Sequence, residues 1–126
     1  MSRNKPFTQL VVAMSREREV TCRFRGFHGG TRHWPIVTDA FLRVAKRLSR
    51  ESARDLRWPE GEGQLGRGTP VVMDASLFAR VYATWLQSPK VRDLKRGGEV
   101  AVVVPKALVS VLKKARAQIR AQQHVA

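Results

Sequence analysis

Hydrophobic and polar residues follow two different periods in the first half of the chain. Residues 8–14 are apolar and partly β-branched, and in 19–27 Val20, Cys22 and Phe24 alternate with polar residues. A period of two is typical of a half-buried strand. A short polar stretch separates the two segments. The pattern therefore predicts an N-terminal antiparallel β-hairpin whose inner face includes Phe24.

After residue 36 the apolar residues take the spacing of an amphipathic helix. Thr38 or Asp39 is expected to be the N-cap, with Pro35 before the helix or in its first turn, and the helix is expected to continue to about Asp55. The apolar positions that define the helix are Val37, Phe41, Val44 and Leu48.

The second half contains two more helical segments and two short apolar ones. We expect extended structure in 70–73 and 99–104, and a broad-faced, largely buried helix in 76–87 that is capped by Asp74 or Ser76 and ended by Pro89. Basic, polar residues follow and lead to a Gly-Gly turn. The last helix starts at Pro105, and its apolar seam, which we expect to face the core, consists of Leu108, Leu112, Ala115 and Ile119.

These elements predict a small α+β protein. We expect the hairpin to pack with about three α-helices and one or two further short strands. The chain has 126 residues, of which 43% are hydrophobic, so one core can form and residues 1–126 are expected to be a single domain.

The net charge of the chain favours some classes of binding partner over others. The chain has 24 Lys and Arg against 10 Asp and Glu, a formal net charge of +14. A field of this sign attracts polyanions, and nucleic acid fits best, ahead of an anionic membrane surface or an acidic protein. Arginine outnumbers lysine, and guanidinium groups suit phosphate and guanine.

Several other chemistries receive little support. Cys22 is the only cysteine, so an intrachain disulfide is excluded and a thiolate zinc site is not expected. The three histidines lack metal-ligand spacings, and we expect no metal and no cofactor. We expect no secretory signal and no membrane span, and therefore a cytoplasmic protein.

The predicted helix that follows the hairpin also carries a row of arginines, about 130° around its axis from the apolar stripe. On a continuous helix the row would span about 17 Å and face a phosphodiester backbone. Glu51 lies at helical spacing from two of these arginines, so a solvated surface is the alternative. The row consists of Arg43, Arg47, Arg50 and Arg54.

A second candidate surface combines arginines and aromatic residues in 23–34. Aromatic rings bind unpaired bases by stacking, and arginines bind phosphates. In the alternative the rings face the core, as we expect for Phe24. The candidate residues are Arg23, Arg25, Arg32, Phe27 and Trp34.

Two weaker hypotheses concern other segments. Lys95 and Arg96 precede a Gly-Gly turn and an apolar strand, the outline of a winged-helix wing whose tip contacts DNA; the alternative is a simple connection between helix and strand. His28 or His33, together with Arg32, would supply the groups that a metal-independent ribonuclease needs.

The preferred function is non-enzymatic binding of DNA or RNA, as an accessory factor, a regulator or a small subunit of a protein–nucleic acid complex. A basic protein that docks on an acidic protein surface, for example an inhibitor of a nucleic-acid enzyme, is the alternative from a different class. A small ribonuclease or toxin is the third. We expect no membrane partner, and the pattern does not indicate an oligomeric state.

Overall fold

The computed structural model describes residues 7–27, 33–61 and 68–124. In these ranges the chain is α+β, with four helices and one mixed sheet of four strands. In chain order the elements are β1 (Phe7–Met14), β2 (Glu19–Phe27), α1 (His33–Ser52), β3 (Val71–Asp74), α2 (Ala75–Trp85), α3 (Pro89–Arg96), β4 (Val100–Val103) and α4 (Lys106–His124).

The predicted hairpin is confirmed and forms the centre of the sheet, whose strand order is β3-β2-β1-β4. β1 and β2 pair antiparallel, with Phe7 opposite Phe27 and Met14 opposite Val20. β3 extends the sheet antiparallel to β2, and β4 pairs parallel to β1. The parallel pair is possible because β2, α1, β3, α2 and α3 lie between β1 and β4 in the chain and provide a long connection.

One face of the sheet is covered by helices. Leu10, Val20, Cys22 and Phe24 are fully or almost fully buried, whereas the alternate residues of β2, including Arg23, are exposed or half-buried. The alternation predicted for β2 is therefore confirmed. The helix α2 packs against both α1 and α4, as expected for a central, largely buried helix.

An aromatic cluster joins the sheet to two helices. The rings of Phe24, Phe41 and Trp85 contact one another edge to face, with centroids 5.4 to 6.0 Å apart. Trp85 is fully buried, and its Nε1–H donates a hydrogen bond of 3.1 Å to the carbonyl oxygen of Val37 in α1. Because a buried indole N–H needs an acceptor, this bond helps to hold α2 against α1.

Four predictions about the elements are corrected. The helix α1 begins at His33, so Thr38 is not its N-cap but a buried residue in its second turn. It ends at Ser52, before Asp55. The helix α2 ends at Trp85, and Pro89 does not end it but opens α3, a helix that the sequence pattern did not predict.

The winged-helix hypothesis is wrong. A wing requires an antiparallel hairpin, but β4 pairs parallel to β1 and is preceded by a helix. Lys95 and Arg96 lie in the last turn of α3, not at a hairpin tip. Gly97 and Gly98 do form the predicted turn, and Gly98 has a φ of 81°, which explains a glycine there.

Candidate functional site

Three of the four arginines in the predicted row lie on α1. Val37, Phe41 and Leu48 on the opposite side are buried, and Val44 packs against the same core, so the predicted apolar stripe is confirmed. Arg43, Arg47 and Arg50 are exposed. Along the helix this shorter row spans about 10 Å.

The fourth arginine lies beyond the end of α1. Ala53 adopts the left-handed conformation with a φ of 55°, and the chain turns away. The N–H of Arg54 donates to the carbonyl oxygen of Ser49 at 3.1 Å, and that of Ala53 donates to the carbonyl oxygen of Arg50 at 3.4 Å. These are the two hydrogen bonds of a Schellman motif, so the predicted continuous row of four is wrong.

Arg54 is held by the residue that caps α2. Its Nη1 lies 2.9 Å from Oδ2 of Asp74, whose Oδ1 accepts a hydrogen bond of 2.7 Å from the N–H of Leu77. The predicted N-cap Asp74 is thereby confirmed. Partial burial raises the pKa of Asp74, but the hydrogen bonds from Leu77 and Arg54 and the charge of Arg54 outweigh it, and the pKa lies below its ordinary value.

Two more of the predicted phosphate-binding arginines face carboxylates. Arg47 Nε lies 3.9 Å from Glu51, as the helical spacing suggested. Arg23 lies 3.7 Å from Glu60 and donates a hydrogen bond of 3.0 Å to the carbonyl oxygen of Gly68. Each of these exposed pairs contributes little to stability, but each lowers the positive potential that its arginine offers a ligand.

The predicted aromatic and arginine surface of 23–34 is described in part. Arg23 and Arg25 are exposed on β2, on the side of the sheet opposite the helices. Phe27 occupies the last position of β2, opposite Phe7. Trp34 and His33 lie in the first turn of α1, whereas His28 and Arg32 lie outside the described residues. Nucleic acid binding by this surface therefore remains a prediction.

Several cationic side chains lie close together between α2, α3 and α4. The sequence pattern did not predict this group. Two adjoining cavities of about 280 and 220 Å³ lie there, and Leu86, Arg92 and Arg116 line both. Arg120, Ala83 and Gln87 complete the first cavity, and Lys95 and Arg96 complete the second. We call this site the cationic cleft; its charged residues are Arg92, Lys95, Arg96, Arg116 and Arg120.

Helix periodicity explains why these side chains face one cleft. In α3 the buried Val91 and the core-packed Leu94 face inward, and Arg92 and Arg96 are four residues apart on another side. In α4 the predicted seam faces the core, as expected. Arg116 and Arg120 each follow a seam residue, so they lie at the edge of the buried face.

The cleft differs electrostatically from the exposed arginines Arg43, Arg47 and Arg50 of α1, which we call the α1 row. Within the described part of the chain no carboxylate lines either cavity, and none of the five cations forms an ion pair. Burial raises the pKa of Tyr82, and the nearby charge of Arg116 offsets part of that effect. The cleft therefore has a concentrated positive potential, which suits a small anionic group.

Sequence reasoning identified two members of the cleft, Lys95 and Arg96, for a different reason. The predicted site residues did not include Arg92, Arg116 or Arg120. Pro89 at the first helical position and the i, i+3 pair Val91 and Leu94 were the available signals for α3. Neither segment by itself indicates that side chains of α3 and α4 line the same cavities.

The described residues do not form a metal site, a reactive thiol or a membrane-spanning helix. No group of three His, Cys, Asp or Glu side chains comes together there as a metal site would require. Cys22 is fully buried, and burial raises the pKa of its thiol far above the ordinary value, which makes it unreactive. No helix in these ranges is long and apolar enough to span a bilayer.

Comparisons of the chain with protein-family models, with curated proteins and with solved structures find no match.

Proposed function

We propose that the protein binds DNA or RNA without catalysing a reaction, and that the cationic cleft is its principal phosphate-binding site. The observation that carries this proposal is the charge of the cleft: five cations from two helices surround two adjoining cavities, and no carboxylate of the described residues lines them. Such a protein would act as an accessory factor, a regulator or a small subunit of a protein–nucleic acid complex.

The charge pattern supports a recognition role because it has a cost in the free protein. Arg92 with Arg96, and Arg116 with Arg120, are like charges at i, i+4, and such pairs destabilise a helix. Arg96 and Lys95 lie in the last turn of α3, where the helix dipole favours cations, but Arg92, Arg116 and Arg120 lack that compensation. A bound polyanion would relieve the repulsion and release condensed counterions.

The α1 row has a secondary role in this proposal. Arg43 and Arg50 are exposed and form no ion pair within the described ranges, whereas Arg47 faces Glu51. Arg54, which lies beyond the end of α1, faces Asp74. Because α2 packs against both α1 and α4, the row belongs to a different part of the helical layer from the cleft. It would add general attraction for phosphates.

Two charge-matched triple variants test this proposal. Arg92, Arg116 and Arg120 are replaced by Gln in one, and Arg43, Arg47 and Arg50 in the other. Each loses three positive charges from +14 and retains +11, so their net charges are equal. Binding to labelled double- and single-stranded DNA and RNA is measured by fluorescence anisotropy at two salt concentrations.

We expect wild-type binding to weaken steeply with salt and the cleft variant to lose about tenfold or more in affinity. Its slope of log K against log salt should fall by about two to three, and that of the α1 variant should fall less. Equal losses in both variants would refute the cleft as the principal site. A wild-type protein that binds none of the four nucleic acids would refute the proposed function and favour docking on an acidic protein.

A further inference from the structure

We infer that the cationic cleft recognises a terminal phosphate, a phosphate monoester at the end of a nucleic acid strand. This inference rests on the proposed function and adds to it the chemical group that occupies the cavities.

The size of the cavities favours binding of a strand end over binding of a duplex. The cavities of about 280 and 220 Å³ lie at or below the lower end of the range for small-molecule sites. Their volume suits a phosphate group with part of one nucleotide. A strand end presents such a group without the flanking nucleotide that a phosphate within a duplex has on each side.

The positive charge of the cleft favours binding of a phosphate monoester over binding of a phosphodiester. A phosphodiester within a strand has a single negative charge, whereas a phosphate monoester has a charge of about −1.5 to −2 at neutral pH and three strong acceptor oxygens. Arg92 and Arg116 line both cavities, so one group bound between them can face the guanidinium groups of α3 and α4 together. Planar guanidinium forks bind such an oxygen set through paired hydrogen bonds.

The remaining wall of the cleft is suited to the group that carries the phosphate. Leu86 lines both cavities, and Ala83 and Gln87 line the larger one. Leu86 and Ala83 are almost fully buried, so together they add only a small apolar surface beside the cationic wall. A ligand with a compact charged end and a less polar remainder, such as a terminal nucleotide, can contact both surfaces, whereas a free inorganic anion would use the cationic wall alone.

The test compares strands that differ in one terminal group. Single-stranded oligonucleotides of one sequence, labelled on an internal base, carry a 5′-phosphate, a 3′-phosphate or hydroxyl groups at both ends. Binding is measured for the wild type, for Arg92→Gln with Arg116→Gln, and for the charge-matched control Lys113→Gln with Lys114→Gln. Both lysines are exposed on α4 and line neither cavity. Mononucleotide and inorganic phosphate are added as competitors.

We expect the wild type and the lysine control to bind one of the phosphorylated strands at least about tenfold more tightly than the hydroxyl strand. The arginine variant should lose this preference while its thermal unfolding remains cooperative. Equal binding of all three strands, weakened equally by the arginine variant, would overturn the terminal-phosphate inference and leave the proposed function intact. A mononucleotide that competes as strongly as a phosphorylated strand would also overturn it, because a free nucleotide would then be the ligand.

Discussion

Arg54 and Asp74 form an ion pair with 2.9 Å between Nη1 and Oδ2, and this pair connects the end of α1 to the start of α2. Its consequence is that an arginine in a sequence pattern typical of phosphate binding instead has a structural partner. The same carboxylate caps α2, so one acidic side chain stabilises a helix N-terminus and fixes the chain that leaves α1.

Substitutions at this pair should affect stability and leave nucleic acid binding nearly unchanged. Asp74→Ala removes both the cap and the ion pair, and we expect it to lower the free energy of unfolding by about 1 to 2 kcal/mol. Asp74→Asn retains a capping side chain and should cost less. Arg54→Gln should cost below about 1 kcal/mol, because the pair is half-exposed. Urea unfolding measures all three, and a loss of affinity in Arg54→Gln similar to that of the cleft variant would contradict this assignment.

The pH dependence of stability should include a contribution from Asp74. Its pKa in the folded protein lies below the ordinary value, so its stabilising effect is complete above the ordinary pKa of about 3.9 and is lost as pH falls through the lower folded value. We expect Asp74→Asn to reduce the fall in urea midpoint between about pH 5 and pH 2. Parallel curves for the wild type and Asp74→Asn would show that the carboxylate does not titrate in this way.

Ala53 offers a stabilising substitution. It is exposed and has a left-handed φ of 55°, which costs a non-glycine residue about 1 to 2 kcal/mol, whereas Gly98 occupies the corresponding position after α3. Since glycine also has a larger entropy in the unfolded chain, we expect Ala53→Gly to stabilise the protein by about 0.5 to 1 kcal/mol. The matched control is Ala117→Gly, an exposed position within α4, which should destabilise by about 1 kcal/mol. Destabilisation by both would exclude the Schellman geometry at Ala53.

Neutralising the cleft should raise stability while it weakens binding. Replacement of Arg92, Arg116 and Arg120 by Gln removes like-charge repulsion, and we expect the melting temperature to rise by a few degrees at about 20 mM salt. The gain should shrink at about 0.5 M salt, where the Debye length is only a few ångströms. Calorimetry at the two salt concentrations provides the measurement. A lower melting temperature of the variant would mean that these arginines stabilise the fold.

Local pattern predicted most of the elements of this protein. The alternation through Val20, Cys22 and Phe24 and the helical spacing of Phe41 and Leu48 identified the inward faces correctly, because burial of apolar groups is the main driving force and each period corresponds to one backbone geometry. The errors lay at the helix ends and at α3, a helix that the pattern did not predict. The turn at Ala53 uses a residue that prefers helix, so nothing in the local sequence marked it.

The sequence alone therefore determined the net charge, the amphipathic faces and the α+β composition, since these depend on residue types and on periods of two and 3.6. The tertiary structure decided which cations are neutralised and which converge. Arg54 meets Asp74 twenty positions further along the chain, and Arg92 and Arg116 line the same cavities although twenty-four positions separate them. Such contacts depend on how the helices pack over a shared core. Helix packing is a property of the whole chain and cannot be deduced from a single segment.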